Sequence, residues 1–180
     1  MIYSTKDLLA KGETEYSIRN KVKDKKLFLI EYGIYSDFPN PYVNEHYISI
    51  KYPNAVITGL SALYIYDLVD HIPDKFYIAT EQHSFPIRRK DVVQTYQDSS
   101  FFLTGKTTIK HNNESINIYD LERMLIEVVR LKEKYSPEIY YSAIASFRKI
   151  KDKIDFYKLN EYLKHFKNGD LLLQKIKEII

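Results

Sequence analysis

Near the start of the chain, apolar residues recur twice at helical spacing. Ser4 followed by Asp7 forms a capping-box pattern with a shorter acid, Leu8 and Leu9 supply an apolar edge, and Gly12 closes the segment, which predicts a short helix over 4–11. Thr14 then stands as an N-cap before Ile18 and Val22, with Lys25 at the limit of the same side. This predicts a second helix whose Arg19, Lys21, Lys23 and Lys26 lie largely away from its apolar seam. The period then shortens to alternation, so 27–30 and 34–37 read as strands joined by Glu31-Tyr32-Gly33, where Gly33 supplies the positive φ of the bend. Helix, turn, helix, hairpin is the predicted order.

Pro39-Asn40-Pro41 interrupts both helix and central strand, and it predicts a boundary between a domain over 1–38 and a larger one over 42–180. Residues 45–51 fit either helix or strand. A brief apolar run at 55–57 precedes Leu60, Leu63, Tyr64 and Leu68 at helical spacing, a strand followed by a helix with Ser61 as its N-cap. Segments 74–80, 92–97, 101–103, 107–111 and 115–119 are β-rich, with turn chemistry at Gly105 and Asn112-Asn113. They predict a small, mostly antiparallel sheet. From Asp120, which suits an N-cap, the period returns to 3.6, with Leu121, Leu125, Val128, Val129 and Leu131 on one side over a charged face. Further helices begin near Pro137, Asp155 and Asp170, and Lys167-Asn168-Gly169 reads as the stop before the last of them.

Charge sharpens the reading of the first domain. The 180 residues carry a net charge of only +3, yet residues 18–26 hold five basic side chains against the single acid Asp24. A duplex major groove about 12 Å wide accepts one α-helix, and flanking lysines and arginines neutralise phosphates. A hairpin directly after such a helix can lie along the backbone as a wing. The expected fold class is therefore α+β: an N-terminal winged helix-turn-helix, then an α/β domain with a small mostly antiparallel sheet and a C-terminal helical cluster. Ser17, Arg19, Asn20, Lys21 and Lys23 are expected to enter or border the groove, while Lys25, Lys26, Tyr32 and Tyr35 contact backbone. Asn20 can pair bidentately with adenine. The rival account of the same pattern is an ordinary solvated lysine-rich face.

Other chemistry is sparse. The chain has no cysteine, which removes disulfides and thiolate chemistry, and its five histidines lack metal-site spacing, so no metal and no cofactor are expected. No apolar run approaches the roughly 18 residues that span a bilayer, and the first residues lack a secretory pattern, which leads to the expectation of a cytoplasmic protein. Asp120, Glu122 and Glu127 cluster at a helix start, but capping by Asp120, dipole pairing by Glu122, and pairing of Glu122 and Arg123 with the sheet explain them without acid/base work. Pro73-Asp74 with Glu81 lacks the lysine of a nuclease site, Gly59-Leu60-Ser61 lacks the second glycine of an esterase elbow, and Gly105-Lys106-Thr107 lacks the upstream glycine of a phosphate loop. Arg88-Arg89-Lys90 reads as a solvated basic loop. Residues 147–178 hold nine basic against five acidic side chains, a surface that suits an acidic partner, DNA, or simply solvent.

Three segments together resemble the AbiEi family, the antitoxins of type IV abortive-infection (phage defence) toxin–antitoxin operons. Ser17-Ile-Arg-Asn-Lys-Val-Lys-Asp-Lys-Lys-Leu27 leading to Tyr32-Gly-Ile-Tyr-Ser36 is similar to that family's recognition helix and wing. Tyr52-Pro-Asn-Ala-Val-Ile-Thr-Gly-Leu-Ser-Ala-Leu63, with Asp67-Leu68 and Ile72-Pro73 after it, resembles the strand-to-helix segment that opens its second domain. Ile118-Tyr-Asp-Leu-Glu-Arg-Met-Leu-Ile-Glu127 resembles its D-x-E-R helix start, with Met124 and Glu127 where Thr and Asp are frequent, and the additional N-terminal helix of many members has no counterpart. The resemblance implies a repressor of its own operon that binds double-stranded operator DNA, and a second domain that counteracts a cognate nucleotidyltransferase-type toxin without itself being an enzyme. A protein-interaction module without specific DNA binding and a carboxylate-dependent enzyme are the readings from other classes.

Overall fold

A computed structural model describes residues 1–180, which divide into two compact units, Met1–Pro53 and Asn54–Ile180. Unit 1 runs β1 (Ile2–Ser4), α1 (Thr5–Ala10), α2 (Glu15–Lys23), β2 (Phe28–Glu31), β3 (Ile34–Ser36) and α3 (Glu45–Lys51). The first helix starts as its sequence dictates, because Ser4 accepts from the Asp7 amide while Asp7 accepts from the Ser4 amide. Thr14 and Ser17 repeat that reciprocal arrangement at the start of α2. Leu8, Ile18 and Leu27 form the core of unit 1, with Tyr3, Val22 and Tyr35 packed against it.

Strand β1 has no counterpart among the sequence expectations. Three residues carry almost no periodic signal, and β1 is a strand only because it pairs antiparallel with β3, Ile2 opposite Ser36 and Ser4 opposite Ile34. The resulting order is β1-β3-β2, with a register shift between Leu29 and Glu31 and the bend at Tyr32-Gly33, where Gly33 has φ +74°. Residues 45–51, open between helix and strand from sequence, are helical, with Asn44 as N-cap. The division of the chain also differs from the expected one at Pro39-Asn40-Pro41. It falls after Pro53, because α3 packs on β1 and both the Tyr47 hydroxyl and the Lys51 ammonium reach the Glu31 carboxylate of the hairpin.

Unit 2 runs β4 (Val56–Ile57), α4 (Gly59–Ile65), β5 (Phe76–Glu81), β6 (Val92–Gln97), α5 (Ser99–Phe102), β7 (Lys106–His111), β8 (Glu114–Tyr119), α6 (Leu121–Arg130), α7 (Pro137–Lys149), α8 (Phe156–Leu163) and α9 (Gly169–Ile179). The class is α+β, with two sheets in the chain. The larger sheet has the order β6-β5-β4-β8-β7 and is mixed rather than mostly antiparallel: β4 with β8 and β5 with β6 are parallel, β4 with β5 and β7 with β8 antiparallel. Segment 101–103 is not a strand, since Asp98 caps a short helix, accepting from the Ser100 amide, and Phe102 is buried.

Helix α6 lacks the charged outer face expected for it. Helices α4, α7, α8 and α9 all pack on it, so Glu122 to Val129 are buried all the way round. Its N-cap is Asp120, as the sequence pattern indicates. Two smaller expectations are also corrected. Thr58, not Ser61, precedes α4; the Ser61 hydroxyl instead accepts from the Tyr77 amide at 2.9 Å, tying the helix to β5. Gly169 is itself the first residue of α9, after Asn168, rather than part of the stop before that helix, and a Cβ there would lie 2.1 Å from the Leu163 carbonyl oxygen. No helix is long and apolar enough to cross a membrane.

Candidate nucleic-acid interface

Helix α2 is oriented by its two apolar residues. Ile18 is buried and Val22 half-buried against the unit 1 core, so with 3.6 residues per turn the opposite face consists of Tyr16, Arg19, Asn20 and Lys23, spaced i, i+3, i+4, i+7 and all exposed. The hairpin β2–β3 flanks this helix. The groove between them is lined by Glu15, Arg19, Leu29, Tyr32, Gly33 and Tyr35, among others, and Tyr32 projects fully into solvent from the bend. The Thr5 amide donates to the Gly33 carbonyl at 2.9 Å, which fixes the hairpin tip to the start of α1.

The residues expected at a duplex separate into three groups. Arg19, Asn20 and Lys23 share the open face; Arg19 carries only an exposed i, i+4 contact with Glu15 at 3.7 Å, and Lys23 has no ion-pair partner. An exposed pair of that kind is worth well under about 1 kcal/mol and yields readily to a phosphate. Lys25, with φ +57°, follows the helix end and is exposed and unpaired.

Lys21 and Lys26 face the other side of α2, in a second groove that also contains Glu13 and Asp37. There Lys21 forms an ion pair with Glu13, and Lys21 first and Ser17 second hold the Glu13 carboxyl below the usual carboxylate range. Ser17 and Tyr35 are committed within the fold. The Ser17 oxygen accepts from the Thr14 amide and its hydroxyl donates to Glu13, while the Tyr35 ring is half-buried on the core. Sequence reasoning counted all the positive charges of 18–26 together, whereas the helical turn splits them between two sides. It also passed over Tyr16, 75% exposed at the middle of the open face, although its position one turn before Asn20 and opposite Ile18 is a signal present in the sequence.

The carboxylates of unit 2 are occupied by neighbours within the fold. Asp120 accepts from the Arg123 amide at 2.9 Å, from the Tyr162 hydroxyl at 2.8 Å, and faces the Lys158 ammonium at 2.9 Å. Glu122 accepts from Lys158 Nζ at 3.1 Å and from the Asp155 amide at 3.0 Å, not from the sheet. Desolvation opposes the charge on Lys158, but hydrogen bonds and charge from Asp120 and Glu122 outweigh it and raise its pKa. Arg123 is fully buried, and pairs with Glu127 rather than with the sheet: Nε donates to Oε1 at 2.9 Å, and Nη1 donates to the carbonyls of Phe101 and Thr104. No group of three histidines and carboxylates is arranged to hold a metal ion. In the basic loop, Arg89 is held by Asp91 at 2.6 Å while Arg88 and Lys90 are exposed. No family model matches the chain, and no curated protein matches it either.

Proposed function

We propose that this chain is an antitoxin and transcriptional autorepressor of the AbiEi type, with unit 1 binding operator DNA as a winged helix and unit 2 counteracting a nucleotidyltransferase-type toxin. One observation carries the DNA-binding half: the open face Tyr16, Arg19, Asn20 and Lys23 of α2 stands beside a hairpin with Tyr32 at its tip, on a three-stranded sheet of order β1-β3-β2. That is the order of parts a winged helix uses, with α2 for the major groove and β2–β3 for the backbone. The resemblance of three segments to AbiEi proteins supports the antitoxin half, and the saturation of Asp120, Glu122 and Glu127 by internal partners supports a non-catalytic role for unit 2.

The test uses the full chain and the duplex upstream of its own coding sequence, in gel-shift titrations at several salt concentrations. Arg19→Ala with Lys23→Ala is expected to weaken binding and reduce the salt slope by about 0.9 per lost phosphate contact, while Lys21→Ala with Lys26→Ala changes the slope less. An unchanged slope in the first pair overturns the assignment of this face. For the second half, removal of residues 1–53 should abolish promoter repression while rescue from the toxin persists. Exposed Tyr16, Leu29 and Tyr32 are also the kind of residues that protein interfaces use. On that second reading binding to random and cognate duplex would be equally weak, and repression would be absent.

A further inference from the structure

The larger sheet of unit 2 ends in two edge strands of different character. β7 carries Lys106, Lys110 and His111, charges of the kind that keep an edge from pairing with another chain. β6, Val-Val-Gln-Thr-Tyr-Gln over 92–97, has no charged residue and no proline. An edge of that composition is a template for a further strand.

The hydrogen-bonding groups of β6 divide by alternation. The Asp91 carbonyl accepts from the Phe76 amide at 2.8 Å and the Gln97 carbonyl from the Gln82 amide at 2.6 Å, so the odd-numbered residues turn their backbone toward β5. Val92, Gln94 and Tyr96 therefore turn theirs outward. The Val92 amide donates to the Arg89 carbonyl at 3.3 Å, but the amides of Gln94 and Tyr96 and the carbonyls of all three residues have no partner within the chain.

Side chains at this edge are open as well. Gln94 holds the connection from β5, its Oε1 accepting from the Ile87 amide at 2.8 Å and its Nε2 donating to the Phe85 carbonyl at 3.2 Å. That sets Phe85, 93% exposed, on the same face of the sheet as Tyr96, 47% exposed. On the other face Val93 and Thr95 line a cavity bounded across from them by Tyr135 and Ile139, so the strand is recessed there rather than covered.

Charge along the edge runs from positive to negative. Exposed Arg88 and Lys90 precede β6, while exposed Asp98 follows it and exposed Glu81 lies beside its last residue on β5. Arg89 and Asp91 pair with each other. A strand with that polarity is complementary to itself turned round.

We propose that β6 pairs antiparallel with β6 of a second copy of this chain, about a two-fold axis at Gln94. This register sets Gln94 opposite Gln94, Val92 opposite Tyr96 and Val93 opposite Thr95, combinations of β-branched and aromatic residues that favour strand pairing. Lys90 then meets Asp98 of the second copy. Across the axis the two Gln94 residues exchange their outward hydrogen bonds, and each Tyr96 amide donates to a Val92 carbonyl. The contact is isologous and closes on itself, leaving open only the β7 edges with their lysines. It involves unit 2 alone, so it stands or falls separately from DNA binding by unit 1.

The test is sedimentation equilibrium of the full chain from about 1 μM to 1 mM, with amide hydrogen exchange read by NMR at both ends of that range. A monomer–dimer equilibrium is expected, with exchange at the Gln94 and Tyr96 amides slowing as the dimer fraction rises, while Val93 and Thr95, already bonded to β5, are protected throughout. Tyr96→Pro removes an outward amide and no bond to β5, and should raise the dimer Kd about tenfold or more. Tyr96→Lys, a charged edge, gives the same reading should the proline disturb β6. Lys90→Glu should raise the Kd about threefold or more. A chain that stays monomeric to about 1 mM, a dimer in which the Gln94 and Tyr96 amides exchange freely, or folded Tyr96 variants with an unchanged Kd would each overturn the proposal.

Discussion

Arg123 donates through Nε to Glu127 Oε1 at 2.9 Å, with the two side chains 0% and 1% exposed at the centre of unit 2. The guanidinium also lies 4.4 Å from the centre of the Tyr119 ring and donates to the carbonyls of Phe101 and Thr104. One side chain thus ties α6 to the α5 segment and to β8. Removing one partner leaves the other charge stranded in a low-dielectric interior. Glu127→Leu is therefore expected to cost roughly 3–5 kcal/mol in urea unfolding. The double variant with Arg123→Met should lose less than the sum of the two single changes, because no fully buried charge is left stranded and only the partly exposed Arg130 loses its partner. A cost under about 1 kcal/mol for Glu127→Leu would contradict the buried ion pair as drawn.

Gly105 stands over the same arginine. It has φ +76°, and a Cβ there would lie 2.4 Å from Arg123 Cβ. Gly105→Ala should destabilise by about 1–3 kcal/mol from the backbone alone, with more from displacement of Arg123. The thermal midpoint should fall by several degrees, at about 2–4 °C per kcal/mol for a chain of this size.

Ser17 tests whether a residue of α2 serves DNA or the helix itself. Its oxygen accepts from the Thr14 amide at 2.8 Å, one half of a reciprocal cap. Ser17→Ala is expected to lower the stability of unit 1 by about 0.5–2 kcal/mol, read from urea unfolding. In gel-shift titrations it should leave the salt slope of operator binding unchanged. A changed slope with unaltered stability would return Ser17 to the interface.

Four tyrosines predict an alkaline limit for unit 2. Burial is the first cause that raises Tyr66, Tyr119, Tyr135 and Tyr162, with Tyr162 pushed up to about 12, its hydroxyl donating to Asp120. Below the ordinary tyrosine value of 10.0 both states keep these protons and stability is fully present. As pH rises past that value the unfolded chain loses protons that the folded chain retains, so the unfolded state binds fewer and stability falls. Urea midpoints should be level to about pH 10 and decline above it. Absorbance at the phenolate band should show these four titrating after most of the 17 tyrosines. Simultaneous titration of all of them in the folded protein would contradict the burial.

Local patterns were legible wherever a few neighbouring residues decide the structure. Ser4 with Asp7, Thr14 before α2, Asp120 before α6 and Gly33 at the bend each do what their side chains dictate, since capping and positive φ act over three or four residues. The exposed face of α2 is legible in the same way, as the complement of Ile18 and Val22.

Partners distant in the chain decided the rest. Ile2-Tyr3-Ser4 is a strand because β3 pairs with it, and residues 101–103 are helical and turn because Phe102 is buried and its carbonyl accepts from Tyr119. The mixed sheet is set by β4, two residues long, which pairs antiparallel with β5 and parallel with β8. Charge was misjudged for the same reason. A count along 18–26 cannot tell Lys21, turned toward Glu13, from Lys23, which faces water, nor does the pattern of α6 show that Arg123, Glu127 and Arg130 pair with one another inside the protein. The sequence alone determined caps, turns and helix faces, because those depend on bonds within one turn of chain. The tertiary structure alone determined strand pairing, the fate of each charge and the cavity beside β6, because burial and ion pairing depend on which distant segments meet.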